Sequence, residues 1–280
     1  MAKKIKQIKS YQSEINKPET EYLAFVKEYN EKGMEIRFVE FTEDNEIEYE
    51  HILECDNNFN PIKEEIISNS DEYSEQKTYK YDENNKLIEE KIQYQNAWES
   101  IKKYERDAEK RCVKVTTFDE EDEIEESSEI YYNEKGEILK RIEFDEYGKQ
   151  KSKIENKFDD QGLLISKEEY SNSKKPDKIF HYHYNENGAL YAVETQNSRN
   201  RLVDWTKIIF DDKNRPVEQA NMAGTKLVIE YNDEESEITE TYYLANGAVY
   251  NKTKYKKNSE GLVEYEETSE KITRYVYEYF

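Results

Sequence analysis

Two histidines have the spacing closest to a metal site in this sequence. His181 and His183 lie in KIFHYHYN (178–185), where side-chain alternation places Ile179 and both imidazoles on one side of a strand. Two imidazoles on one face can chelate Zn²⁺ or Ni²⁺ if a third ligand approaches. The remaining histidine, His51, lies several repeats away, so that ligand would have to be a carboxylate. Two solvated histidines are the simpler interpretation, and we predict no metal site and no cofactor.

The densest run of carboxylates is FDEEDEIEESSE at 118–129, which contains Asp119, Glu120, Glu121 and Asp122. Paired carboxylates can hydrolyse glycosides, but 64 acidic residues make some pairing inevitable. No EF-hand spacing, nucleotide-binding loop, HExxH, GxSxG or CxxC motif occurs. We therefore predict no catalytic residues. Two interpretations of the run stay open: a solvated face, or a contact surface for a basic partner.

Aromatic side chains provide the other candidate contacts. Tyrosine is the commonest residue at the aromatic position of a repeated motif, where the ring covers the core and the hydroxyl stays in water. The two tryptophans, Trp98 and Trp205, fall outside that position. They are predicted contact residues, with core filling as the alternative.

The composition indicates an ordered chain with a thin core. Only 35% of the residues are apolar and 38% are charged, values typical of disorder. However, 13% are aromatic, and aromatic residues suit a half-buried pleated surface.

The net charge and the cysteine content limit the classes of partner and the cellular compartment that we expect. A formal charge of −22 repels nucleic acid and anionic membranes and attracts cationic proteins, although solubility alone would also explain it. The N-terminus lacks the apolar run of a secretory signal, and no stretch approaches the ~20 apolar residues of a membrane span. Cys55 and Cys112 have no metal-ligand spacing. We expect a cytoplasmic protein that contacts neither nucleic acid nor membrane.

A repeat positions these residues. An aromatic residue, Asp or Asn, two further residues, and Gly or Asn recur, as in YNEKGMEI at 29 and YNEKGEIL at 132. The motif begins every 26 residues, at 29, 55 and 81 and again at 132, 158, 184 and 210. An intermediate marker follows 12 residues after most copies, and the phase slips once in 94–112.

The motif is typical of a hairpin turn. Asp or Asn accepts a local backbone hydrogen bond and starts a type I turn, and Gly or Asn takes the left-handed conformation of a bulged loop. Seven of the eight glycines occupy that position, and Gly224 is expected to lie outside it and to tolerate substitution better. One row of turns should be tight, and the other should have looser loops near 67, 170 and 196.

We predict an all-β fold of tandem antiparallel β-hairpin repeats with a 26-residue unit, forming one long, twisted or coiled meander sheet. Only 94–110 has a pattern compatible with a short helix. The predicted organisation is a single repeat domain, 1–280, with an N-terminal cap at 1–28, repeats at 29–93, a phase break at 94–112, repeats at 113–265, and a C-terminal cap strand at 266–280.

The tyrosine–Asx–x–x–Gly hairpins resemble the YD repeats of RHS-type proteins. The segment YYLANGAVYNKTKY at 242–255 is also similar to MORN-like repeats. RHS-family proteins use YD repeats as a β-sheet shell around a toxin, and this chain has no recognisable toxin tip. MORN-like repeat proteins of bacteria include immunity and antitoxin partners of secreted toxins, so the resemblance implies such a role here.

The sequence thus predicts a non-enzymatic protein that binds another protein. The specific hypothesis is a bacterial immunity or antitoxin protein whose acidic, Tyr-rich surface occludes a basic toxin domain. The alternative is a structural repeat protein that binds carbohydrate or a cell surface. An enzyme ranks third.

Overall fold

The computed structural model describes residues 3–69, 74–94 and 99–280. The chain is all-β: 22 strands, each antiparallel to its neighbours in the pairings that the structure defines, form one sheet. Within 94–110, the one place where the sequence allowed a helix, the described residues form the eighth strand, Glu99–Asp107, and the start of the turn that follows it.

The first eleven strands are β1 (Ile5–Glu14), β2 (Lys17–Tyr29), β3 (Glu35–Phe41), β4 (Ile47–Cys55), β5 (Pro61–Ser68), β6 (Ser74–Tyr81), β7 (Leu87–Tyr94), β8 (Glu99–Asp107), β9 (Cys112–Phe118), β10 (Ile124–Tyr132) and β11 (Ile138–Asp145). The others are β12 (Gln150–Phe158), β13 (Leu164–Tyr170), β14 (Lys178–Tyr184), β15 (Leu190–Asn197), β16 (Leu202–Phe210), β17 (Pro216–Asn221), β18 (Lys226–Asn232), β19 (Glu237–Tyr243), β20 (Val249–Lys257), β21 (Val263–Glu267) and β22 (Lys271–Tyr279).

The first and last strands pair with each other, which overturns the predicted meander sheet. β1 pairs with β2 on one side and with β22 on the other, from Ile5 opposite Tyr279 to Glu14 opposite Lys271. The sheet is therefore a closed, 22-stranded antiparallel β-barrel, not a long meander with two ends. The meander prediction was wrong because a repeat reports pairing between neighbours in the chain only. Closure joins strands from opposite ends, and it satisfies edge N–H and C=O groups that would otherwise stay unpaired.

The predicted turns form through the chemistry of the motif. In the β10–β11 hairpin, the Asn133 N–H donates to the Glu137 carbonyl (2.9 Å), and the Gly136 N–H donates to the Asn133 carbonyl (3.1 Å). The Asn133 Oδ1 also accepts from the N–H groups of Lys135 and Glu137, both at 2.9 Å. Gly136 has a φ of +83°, and the strand register shifts at Tyr132, the aromatic position of the motif. Each repeat thus ends in a turn with a β-bulge.

The left-handed position of these turns is filled by more than glycine. All eight glycines have positive φ, and the same position holds Asn45, Phe59, Asn85, Asp122, Asn200 and Asn214 in other hairpins. Gly224 belongs to this set, because its N–H donates to the Asn221 carbonyl at 3.0 Å and its φ is +83°. Its expected place outside the motif was wrong: β17 has only six residues, so this turn comes early and breaks the spacing.

The core is thin and built from small or β-branched side chains. Among the described residues, Val39 and Ser10 have the largest side chains that are less than 2% exposed. Other buried positions are mostly Ala, Val, Ser and Thr, while the aromatic rings lie half-buried over them. A single sheet layer covered by long side chains explains how 35% apolar residues suffice.

The chain divides into two compact units. One comprises Met1–Ile101, Glu230–Glu240 and Asn251–Phe280, and it contains β1 to β7, β21, β22 and the closing ladder. The other comprises Lys102–Ile229 and Thr241–Tyr250, and it contains β9 to β17 and the acidic run singled out in the sequence.

Candidate binding surface

The acidic run forms the tight turn between β9 and β10. The Asp119 Oδ1 accepts from the N–H groups of Glu121 (2.9 Å) and Glu123 (2.8 Å), so this carboxylate holds the turn together. Asp122 occupies the left-handed position with a φ of 61°. Glu120, Glu121 and Asp122 are exposed, and within the described part of the chain their side chains form no ion pair. The turn therefore presents unpaired negative charge to solvent.

The turns at one end of the strands form a row, which we call an edge of the sheet. The next turn along the same edge adds an aromatic side chain. Asp145 lies opposite Glu126 of β10 and starts the turn between β11 and β12, where its Oδ1 accepts the N–H groups of Tyr147 and Lys149. Tyr147 is 86% exposed, the most exposed of the large hydrophobic side chains in the described residues. Adjacent hairpins are separated by about 10 Å, or two strand spacings. We call residues 119–123 and 145–149 the acidic turns.

The charge along this edge changes from negative to positive at the next two turns. The loop between β13 and β14 carries Lys174 and Lys175, and the turn between β15 and β16 carries Arg199 and Arg201. All four are exposed, and within residues 3–69, 74–94 and 99–280 none forms an ion pair. We call residues 171–177 and 197–201 the basic turns. Net charge alone does not reveal this separation.

Of the looser loops expected on this edge, the one near 170 is present and the one near 196 is instead a tight turn. The loop at 171–177 is looser, closed by the Asp177 carboxylate, which accepts the Ser171 N–H at 2.6 Å. The turn at 197–201 is as tight as any glycine turn: the Asn200 N–H donates to the Asn197 carbonyl at 2.9 Å, and Asn200 has a φ of 57°. Part of the loop near 67 lies outside the described residues.

Of the two predicted tryptophan contacts, the structure describes Trp205, which lies in a strand and not in the acidic turns. Trp98 lies outside the described residues. Trp205 is half-buried in β16, opposite Glu194 in the ladder, and the Lys207 Nζ lies 5.2 Å from the centre of its ring. Its surroundings therefore combine packing within the sheet with partial exposure.

His181 and His183 lie on one face of β14, as the side-chain alternation predicts. The His183 Nε2 lies 3.8 Å from the Glu194 carboxylate, and His181 stands opposite Glu194 in the β14–β15 ladder. His51 instead contacts Glu64, with the His51 Nε2 at 2.8 Å from Oε1. Within the described ranges, no three His, Cys, Asp or Glu side chains are grouped as metal ligands would be.

One polar cluster went unrecognised in the sequence. Glu64 accepts hydrogen bonds at both oxygens, from His51 and from the Tyr79 hydroxyl (2.5 Å), and the Lys77 Nζ lies 3.9 Å away. Lys77 also pairs with Glu75 at 2.8 Å. The available signal was the spacing 51, 64, 77, since the 12- and 14-residue steps average 13 and bring such positions onto adjacent strands. The cluster has the features of a stabilising network.

Burial and hydrogen bonding shift the pKa values in this cluster. Burial alone raises the pKa of Glu64, but the Tyr79 hydrogen bond, the Lys77 charge and His51 outweigh it and leave that pKa below its usual value. Burial and the Glu64 carboxylate raise the pKa of Tyr79 far above its usual range. Burial lowers the pKa of Lys77, but Glu75 and Glu64 reverse this and raise it overall.

Comparison with known proteins identifies structural matches only. No protein-family model and no curated protein matches the chain. Among solved structures, 59 chains match. In the crystal structure of TcdB2-TccC3-TEV the match has 11% identity and a TM-score of 0.38, and it covers 88% of this chain and 19% of that one. A porin-like protein from Bacteroides uniformis matches at 9% identity and a TM-score of 0.35, covering 98% and 96%.

This chain spans 19% of the length of the TcdB2-TccC3 chain that it matches. At these TM-scores the matches support no functional argument. In the described part of the chain, no helix has the length and apolar character needed to cross a membrane.

Proposed function

We propose that this chain is a non-enzymatic protein that binds a cationic protein through its acidic turns. The observation that carries the proposal is the exposed turn at 119–123, whose five consecutive acidic residues adjoin a turn that presents Tyr147 at 86% exposure. Unpaired exposed carboxylates attract a basic surface over several ångströms, and an exposed tyrosine supplies contact area at low entropic cost.

The proposed biological role is that of a bacterial immunity or antitoxin protein acting in the cytoplasm. Its target would be a basic toxin domain, neutralised when this chain covers the toxin's active surface. The similarity of the hairpin motif to YD and MORN-like repeats supports this role. So does the fast association that opposite charges allow, because an immunity protein must capture its toxin before damage occurs.

The experiment is co-expression with the product of the gene immediately upstream, followed by binding kinetics on the purified pair. We expect the chain to restore growth to cells that express a toxic neighbour. Converting Asp119, Glu120, Glu121 and Asp122 together to Asn or Gln should slow association at least about tenfold and change dissociation less. Because the acidic turns act through long-range charge, raising salt should slow association of the unaltered chain more than that of the variant.

A matched control removes the same charge from the opposite edge of the sheet. Glu83→Gln, Asp160→Asn, Glu186→Gln and Asp212→Asn each alter an exposed second residue of a turn. This control should associate nearly as fast as the unaltered chain. Equal slowing in both variants would reject the acidic turns as the contact surface. Substrate turnover abolished by a single carboxylate substitution would reject the non-enzymatic role.

A further inference from the structure

We propose that a second copy of this chain docks on the edge formed by the acidic and basic turns, related to the first by a two-fold axis. The occupant is suggested by the order of charges along this edge. The turns at 119–123, 145–149, 171–177 and 197–201 belong to four consecutive hairpins, joined through the β10–β11, β12–β13 and β14–β15 ladders. The proposal does not depend on the proposed function.

The order of charge is acidic, acidic, basic, basic. The first turn contributes five carboxylates, and the second contributes Asp145 and Glu146 with Lys149. The third contributes Lys174 and Lys175, with Asp177 engaged in closing the loop. The fourth contributes Arg199 and Arg201. When two such rows of turns face each other in opposite directions, each acidic turn of one copy lies against a basic turn of the other.

A two-fold axis through that midpoint satisfies this complementarity. It lies between the second and third turns, and it places 119–123 of one copy against 197–201 of the other and 145–149 against 171–177. Each contact occurs twice, as in any isologous interface. Rotation about this axis lays the row of one copy along the row of the other in the opposite direction, and a curved edge permits this as well as a straight one. In a chain with a charge of −22, this edge is a place where two copies can meet with opposite charges facing.

The arginines and lysines are available for this contact. Their side chains are exposed, and within the described residues they form no ion pair in their own chain. The 197–201 turn does not need the arginine side chains. Its Asn197 Oδ1 accepts hydrogen bonds from the backbone N–H groups of Arg199 and Arg201, so both guanidinium groups stay available. These cationic side chains can therefore pair with carboxylates of a second copy without first breaking an ion pair in their own chain.

The contact area predicts a weak and salt-sensitive dimer. Four turn tips of about 10 Å each, along an edge about 10 Å wide, bury about 400 Å² per copy. The total of about 800 Å² is below that of a stable complex and falls among transient ones. We expect a dissociation constant of about 100 µM in dilute salt.

Analytical ultracentrifugation of the full chain with charge-swapped variants tests the proposal. Variant one is Glu120→Lys with Glu121→Lys and Glu123→Lys, which leaves two acidic and three basic residues in the 119–123 turn. Variant two is Arg199→Glu with Arg201→Glu. Each variant alone sets like charges against each other and should dimerise at least about tenfold more weakly. An equimolar mixture restores opposite charges at both contacts, so it should form a heterodimer. The unaltered chain should dimerise in about 20 mM salt and dissociate in about 0.5 M salt.

The control is Glu43→Lys with Asp44→Lys and Glu46→Lys. It changes the net charge by the same amount as variant one, but in another exposed acidic turn. It should dimerise at least as well as the unaltered chain. Circular dichroism establishes that each variant is folded. A chain that stays monomeric in dilute salt at about twice the expected dissociation constant overturns the proposal. A mixture of variants that stays monomeric, or a control that loses its dimer, also overturns it.

Discussion

At the scale of single residues, Glu64 shows how a polar group is accommodated in a thin core. Its carboxylate is partly buried, with 18% of the side chain exposed, and both of its oxygens accept hydrogen bonds. Burial would raise its pKa, yet Tyr79, Lys77 and His51 lower it overall. A carboxylate whose pKa is lower in the folded state stabilises that state at any pH where the unfolded chain is also ionised.

Glu64→Gln should therefore destabilise the protein in a pH-dependent way. At pH 7 we expect the free energy of unfolding to fall by about 1–3 kcal/mol, because hydrogen bonds to a charged acceptor are lost. The folded-state pKa is lowered, so the contribution is present above the unfolded pKa of about 4.3 and is lost as pH falls through the folded value. Urea denaturation at pH 7 and at about pH 3.5 measures the difference.

The matched control for this prediction is Glu54→Gln on the same hairpin. The Glu54 side chain is 55% exposed and 3.9 Å from the Lys63 Nζ, so its loss should cost less than about 1 kcal/mol. A cost for Glu64→Gln that is the same at both pH values would show that the ionised carboxylate contributes nothing.

At the scale of elements, the turn is the unit that the sequence repeats. The same backbone hydrogen bonds form whether glycine, asparagine or aspartate occupies the left-handed position. What differs between hairpins is the packing around that residue. A Cβ added at Gly188 meets nothing within 4 Å, whereas one added at Gly224 lies 3.3 Å from the Ala245 Cβ in a neighbouring turn. The cost of substitution therefore depends on packing between turns as well as on φ.

Gly188→Val and Gly224→Val should both destabilise, and Gly224→Val should do so more. A β-branched residue at positive φ costs about 1–3 kcal/mol. At Gly224, contact with Ala245 adds to that cost, which reverses the order expected from the spacing of the motif. Denaturant unfolding of the two variants measures the order. Better tolerance at Gly224 would contradict the tight packing of these turns.

At the scale of the whole molecule, the pairing of β1 with β22 is the decisive contact. It is reinforced outside the ladder, where the Ile15 N–H donates to the Glu270 carbonyl at 3.0 Å. The Lys9–Glu278 ion pair, at 2.7 Å, also joins the two strands. The edge strands of a hairpin array are exposed to pairing with other chains, and closure removes that hazard.

An engineered disulfide tests closure directly. Lys9 and Val276 are directly opposite in the β1–β22 register, and opposed residues in an antiparallel pair have Cα separations within disulfide range. Lys9→Cys with Val276→Cys should oxidise to an intramolecular crosslink that changes mobility on a non-reducing denaturing gel. Lys9→Cys with Tyr265→Cys, whose second residue lies on β21 and pairs with β22, should not crosslink. Absence of the first crosslink would mean that the sheet is open.

The sequence by itself determined the local structure of this protein. The residue types at Asn133 and Gly136 specify a turn because side-chain acceptance and positive φ are properties of a few adjacent residues. The exposure of the 119–123 turn followed from the same motif, since Asp119 starts that turn. These inferences needed only contacts between residues close in the chain.

Only the tertiary structure decided closure, the Glu64 cluster, the packing of Gly224 and the separation of charge along one edge. Each depends on which hairpins become neighbours and in what register. A register shift of one residue would move every side chain of a strand to the other face. Pairing of β1 with β22 depends on the accumulated twist and stagger of all the intervening strands, which no single repeat encodes.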